Sequence, residues 1–196
     1  TKQINNKIEL NTGLEYEYDG YDVTGIFPQY QYIIRPGAQS FGIDTAQNSG
    51  RAGIYAETQI KPSDDFFVIP GIRTDYHTLS GKFSFDPRLS FGYRLSEHNI
   101  VRGALGYYHQ YPGIENYLRA EENNLDAQNA VHYILGYEFN SGGDILFRVE
   151  GYYKDYRYYP VSVSRPYLVL ANNSGFETQN SFGLEELRSE GTGNAK

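Results

Sequence analysis

The stretch Phe85–Asp86–Pro87–Arg88–Leu89–Ser90–Phe91–Gly92–Tyr93–Arg94–Leu95 decides the fold. Leu89, Phe91, Tyr93 and Leu95 alternate with Arg88, Ser90, Gly92 and Arg94, and the run stops at the polar turn Ser96–Glu97–His98. A period of two is the signature of a strand. Hydrophobes on one side and arginine or glycine on the other demand an apolar medium against one face and water against the other. Where many strands repeat the pattern, a lipid bilayer supplies the apolar medium as readily as a protein core does.

The composition leans toward the bilayer. The 196 residues hold 20 Tyr, 11 Phe and 21 Gly, with no Trp, Cys or Met. Mean hydropathy is -0.59, and no window approaches the ~18 consecutive apolar residues of a spanning helix. A membrane β-barrel escapes that test, because every second residue faces an aqueous lumen. The absence of cysteine suits the cell envelope. A net charge of -7 argues against a nucleic-acid partner, which calls for clustered Lys and Arg. Thr1 at the start and the turn-like Glu190–Lys196 at the end read as the limits of a piece excised from a longer chain, its targeting segment lost with the rest.

Eight segments have strand character: 7–18, 51–61, 66–77, 86–95, 99–109, 132–139, 145–156 and 180–187. Ile114–Leu125 is the one candidate for a short helix. The turns at 62–65, 96–98 and 140–144 are short and built from turn formers. Between them lie longer connections at 19–50, 78–85, 110–131 and 157–179. Short and long alternate, as in an outer-membrane barrel with short periplasmic turns and long extracellular loops. In that frame 66–77, 99–109 and 145–156 run outward, and 51–61, 86–95 and 132–139 run inward.

The two faces separate by residue type. One carries Ala52, Ile54, Ala56, Ile60, Val68, Ile72, Tyr76, Leu89, Phe91, Tyr93, Val101, Leu105, Tyr107, Tyr133, Leu135, Tyr137, Phe139, Phe147, Val149 and Tyr153, with no charge among them. The other collects Tyr55, Glu57, Gln59, Arg73, Asp75, Arg88, Arg94, Arg102, Tyr108, Gln110, Glu138, Arg148, Glu150, Tyr152 and Lys154. A charge on the lipid face near the midplane costs about 2–4 kcal/mol, so a barrel requires this sorting. Tyrosines near strand ends suit interfacial girdles. A soluble antiparallel sandwich also sorts its faces, but needs neither the alternation of connections nor so many long strands.

Several runs resemble consecutive barrel strands of TonB-dependent outer-membrane receptors. They are Gly53–Ile54–Tyr55–Ala56–Glu57, Ile69–Pro70–Gly71–Ile72–Arg73–Thr74–Asp75–Tyr76, Asp86–Pro87–Arg88, Gly106–Tyr107–Tyr108–His109–Gln110–Tyr111–Pro112 and His132–Tyr133–Ile134–Leu135–Gly136–Tyr137–Glu138. Val149–Glu150–Gly151–Tyr152–Tyr153–Lys154–Asp155–Tyr156, Asn172–Asn173–Ser174–Gly175 and Gly183–Leu184–Glu185 complete the order. The resemblance covers about 51–187, and residues 1–50 match loosely. It implies an all-β antiparallel meander forming part of a transmembrane barrel of about 22 strands. Residues 1–196 are then one fragment of the barrel domain, without the family's N-terminal plug. The resemblance further implies a receptor in the bacterial outer membrane that imports a scarce nutrient such as an iron chelate. Its partners would be the imported ligand, outer-membrane lipid and the TonB complex, reached through the missing plug. The transported ligand stays open between an iron chelate, cobalamin, an oligosaccharide and a peptide.

The candidate ligand contacts are Tyr108, Gln110, Tyr111, Tyr117 and Arg119 in one loop region, Tyr158 in another, and Arg73 with Asp75 on one strand face. Tyrosine offers a rigid apolar face with a polar tip, which suits recognition and interfacial girdles alike. Arg73 and Asp75 serve equally as a structural pair. His77, His98, His109 and His132 lack metal-ligand spacing, and no metal or cofactor is expected. Ser40, Ser49 and Ser80 lie in outward connections without an evident histidine partner, so no enzyme is expected. A small self-contained barrel (adhesin or structural) and a soluble sandwich binding module are the alternative functions.

Overall fold

The computed structural model of the chain describes residues 1–28, 40–117, 125–143, 145–163 and 187–196. Among these residues nine strands follow in chain order: β1 Lys2–Asn5, β2 Ile8–Pro28, β3 Ser40–Ile60, β4 Phe66–His77, β5 Lys82–Ser96, β6 Asn99–Gln110, β7 Gln128–Asn140, β8 Leu146–Ser162 and β9 Leu187–Ala195. They form one sheet in sequence order, every neighbouring pair antiparallel. Among the described residues no helix is long and apolar enough to cross a membrane.

The sheet is inside-out relative to a water-soluble protein. Apolar side chains lie open: Leu14 is 81% exposed, Leu135 61% and Ile54 53%. Polar ones are buried, among them Ser49, Asp75, His77, Ser84, Asp86 and Asn129. The registers align the apolar faces across strands, with Leu89↔Leu105, Leu105↔Tyr133 and Tyr133↔Tyr153 in one row. Aromatic pairs stand at the margins of this band, Tyr76 with Phe83 at 4.7 Å and Phe66 with Tyr93 at 6.3 Å between ring centroids. The end of the sheet carrying the 61–65, 97–98 and 141–145 turns is called the lower rim here, and the other the upper rim.

Four sequence-based expectations change. The connection expected at 19–50 is mostly strand: β2 and β3 each run 21 residues and pair without a register shift. At about 3.3 Å per residue the ribbon is ~70 Å long, far beyond the ~10 residues that cross a bilayer. Its upper part has water on both sides, so polar residues such as Asp19, Asp22, Asp44 and Asn48 hide the alternation. The connection expected at 78–85 shrinks to Thr78–Gly81. Gly81 takes φ 65° and donates to the His77 carbonyl at 2.9 Å, a tight turn that glycine alone adopts cheaply.

Pro87 therefore lies inside β5 rather than at its start. Pairing of β5 with β6 ends at Arg88↔Gly106, so on that side Pro87 sits at a local edge, where a missing N–H is tolerated. Glu190–Lys196, expected as a turn, is largely strand β9, because β8 offers it a ladder. The strand expected at 180–187 lies outside the described residues except for Leu187. Of the segment Ile114–Leu125, expected as a short helix, Ile114–Tyr117 forms a 3-10 turn and 118–124 lie outside the described residues.

Candidate ligand-binding wall

Six of the candidate residues occupy three different settings on the polar face and upper rim. Arg73 and Asp75 form a bidentate pair, Nε–Oδ2 2.7 Å and Nη2–Oδ1 2.6 Å, and Glu15 adds a second carboxylate at 2.8 Å. They share a face because they stand two apart on β4. Gly53 faces Asp75 across the ladder, and a Cβ there would fall 2.5 Å from Asp75 Oδ1. The glycine leaves room for the ion pair, which is saturated and has the geometry of a structural clamp.

Tyr108 and Gln110 line a concavity of about 490 Å³ at the upper rim, together with Arg51, Gln128, His132, Tyr156 and Tyr159. The rings form a chain across β6, β7 and β8. Tyr108 to His132 is 4.6 Å between centroids, His132 to Tyr156 6.4 Å, and Tyr156 to Tyr159 5.8 Å. The registers Gly106↔His132 and His132↔Lys154 bring these strands into line. Gln110 and Gln128 pair opposite each other and add amide donors and acceptors. Flat apolar surface, amides and a guanidinium together suit a planar, polar-rimmed ligand.

Tyr111 and Tyr117 turn away from that concavity and into a core of their own. Tyr111 stacks on His77 at 4.4 Å and 20°, and its hydroxyl donates to the Lys82 carbonyl at 3.0 Å. Tyr117 is 2% exposed and Leu125 1%. Lys82 Nζ to Asp126 at 2.6 Å and the Asp126 amide to Ser189 Oγ at 2.8 Å tie the same segment down. Burial raises both phenols above their usual pKa. Tyr158 stands apart on β8, exposed, at φ 61° beside a register shift, and belongs to none of the three settings. Arg119 lies outside the described residues.

The expectation of no Ser–His pairing is corrected. Ser49 Oγ lies 2.8 Å from His77 Nε2, and Ser80 Oγ 3.0 Å from Nδ1. The register Arg51↔His77 and the tight Thr78–Gly81 turn bring the three together. Two hydroxyls occupy the two ring nitrogens, the site is buried under Tyr111 and Tyr117, and among the described residues no carboxylate bonds the imidazole. That is an anchor for the rim segment, not a nucleophile with its base. Burial, and then Arg51, lower the pKa of His77.

The four histidines stay apart. His98 lies at the lower rim, His109 bonds Asp86 across the gap between β5 and β6, and His132 sits between tyrosines. Among the described residues no group of three His, Cys, Asp or Glu gathers as a metal site. Arg51 and His132 are wall residues that the candidate set lacks. Alternation on β3 and β7 places Arg51 and His132 on the polar face, and was the available signal.

Comparison with known proteins agrees with this architecture. The family model "TonB dependent receptor-like, beta-barrel" matches residues 2–191. No curated protein sequence matches the chain. In structure it is similar to a variant of the ferric enterobactin receptor PfeA from Pseudomonas aeruginosa, with TM-score 0.71, 16% identity, and 95% of this chain and 29% of that one covered. It is similar to the siderophore receptor PirA from the same organism, at TM-score 0.65, 16% identity, and 95% and 31% coverage. The copper transporter OprC matches at TM-score 0.59, 13% identity, and 80% and 29% coverage. At such identities the likeness shows the fold alone, and the chain spans less than a third of these neighbours' length. The nine-stranded meander, its apolar outer face and the match over residues 2–191 place the chain in the TonB-dependent receptor family, as part of its outer-membrane β-barrel.

Proposed function

We propose that the protein carrying this chain imports a scarce nutrient, an iron chelate being the favoured cargo, across the bacterial outer membrane. TonB would supply the energy through a plug domain in the barrel. The polar face is the lumen wall, the lower rim is periplasmic and the upper rim faces the cell exterior. The observation that carries the reading is the upper-rim concavity lined by Tyr108, His132, Tyr156 and Tyr159, with Gln110, Gln128 and Arg51 around it. A flat chelate stacks on such rings, and the amides of Gln110 and Gln128 meet its polar edge. The neighbours described as ferric enterobactin and siderophore receptors share this fold and support the choice of cargo class.

The test is made on the whole receptor in cells. Uptake of radioactive iron is measured with a panel of ferric chelates, and copper uptake in parallel. Replacing Tyr108 and Tyr156 together by Ala is expected to weaken binding of the cognate chelate about 10- to 100-fold, the equivalent of one or two lost aromatic contacts. Iron uptake that is unaffected for every chelate, beside copper uptake that falls, would transfer the cargo to copper.

A further inference from the structure

On the lumen wall, cations within the strands are of two kinds. Arg51, Arg73, Arg102 and Arg148 each meet a glutamate or aspartate within 4 Å. Arg88 and Lys154 meet none among the described residues and lie instead against tyrosine rings. Arg88 Cζ is 5.4 Å from the centroid of Tyr108, and Lys154 Nζ 5.2 Å from that of Tyr152. Arg88 Nε is buried without a hydrogen-bond partner.

The surroundings of Arg88 are shaped to leave its guanidinium available. Its partners are Gly71 on β4 and Gly106 on β6; the room over Gly106 is taken by the Tyr108 ring, which backs one side of the guanidinium, and no carboxylate stands beside it among the described residues. Its stem lies over Gly71, where a Cβ would fall 3.0 Å from Arg88 Cγ. It borders a cavity of about 280 Å³ whose other walls include Asn11, Tyr55, Glu57 and Arg73. Arg73 is spent on Asp75 and Glu15, and Glu57 accepts from Asn11 Nδ2 at 2.9 Å.

We infer that Arg88 is the seat of one carboxylate presented from inside the lumen, the Gly71–Arg88–Gly106 row being its cradle. Guanidinium and carboxylate match as a two-pronged pair. Glu57 across the same cavity repels a multiply charged anion and welcomes a donor, so the occupant is a monocarboxylate bearing a hydroxyl or amide. Two sources have that chemistry: an acidic side chain of polypeptide inside the barrel, or a small ligand in passage. The inference rests on the polar face being the lumen wall, and is independent of which cargo is imported.

The test uses the whole receptor purified in detergent, its barrel checked separately by heat-modifiable gel mobility. Phenylglyoxal labelling of Arg88 is followed by peptide mass spectrometry, with Arg102, whose side chain is 55% exposed, as internal reference. If polypeptide supplies the carboxylate, Arg88 labels about tenfold more slowly than Arg102 after exhaustive dialysis, and amidation of carboxylates by carbodiimide restores the rate. If a ligand supplies it, dialysed Arg88 labels freely and slows when glycolate is added as the probe. Labelling that stays slow after amidation reflects burial alone and overturns the inference. So does labelling that is fast with and without glycolate.

Discussion

The lower two thirds of the sheet and its upper rim obey opposite rules. Below, the ladders β4–β5 and β6–β7 run without a shift, turns are short, and apolar side chains stand exposed while polar ones face the lumen. Above, β5 and β6 part at Arg88↔Gly106, β8 and β9 slip between Tyr156 and Pro160, and Tyr117, Leu125 and Val161 are buried as in a soluble protein. The difference lies in the solvent. In the bilayer band lipid is the apolar phase, so one face needs no protein partner and backbone pairing must be complete. Above it water returns, and a core has to be made from the chain's own side chains. Water permits irregular pairing without requiring it, since β2 and β3 stay in register well above the band.

The largest effect should come from putting charge into the lipid band. Leu135→Arg is expected to destabilise the barrel by about 2–4 kcal/mol, and Ser90→Arg on the lumen face by less than about 1, in denaturant unfolding from liposomes. Equal losses would erase the distinction between the faces. A comparable penalty, confined to the rim, is expected of Leu125→Ala. A buried leucine truncated to alanine costs about 2–4 kcal/mol, and here it should appear as faster hydrogen exchange in residues 111–117 with the strands below unchanged.

Acid should loosen the same segment more gently. Burial holds the folded pKa of His77 below the ordinary histidine value of 6.5, so the unfolded segment binds the proton more readily. The stabilising contribution is fully present above pH ~6.5 and is lost as pH falls through the lowered value. Arg51 opposes the protonated form and Asp19 favours it. Exchange at 111–117 is expected to quicken in mild acid, and His77→Gln should remove the pH dependence. The smallest effect belongs to Tyr158, held at φ 61°. Tyr158→Gly should stabilise the β8 bulge by about 1 kcal/mol, read as a higher melting temperature. A loss instead would mean that contacts of the ring outweigh the backbone strain.

Legibility followed the same boundary. The alternation Leu89–Phe91–Tyr93–Leu95 and its counterparts carried the strands and both faces of the bilayer band. The pattern faded in the upper halves of β2 and β3, where water wets both sides, and around Pro87, whose tolerance depends on where β6 departs. Of the candidate contacts, Tyr108 and Gln110 reach the aromatic concavity, Arg73 and Asp75 clamp each other, and Tyr111 and Tyr117 serve the rim core. Residue type alone did not separate these roles, because tyrosine suits all of them.

By itself, then, the sequence determined an antiparallel barrel wall with one lipid face and one wet face. A two-residue period fixes side-chain direction locally, and the bilayer enforces the sorting residue by residue. Only the tertiary structure decided that Ser49 meets His77, that Arg88 lies against Tyr108 between two glycines, and that four rings from three strands line one concavity. Those juxtapositions depend on register and on where neighbouring strands part, quantities shared between distant segments and written in neither one alone.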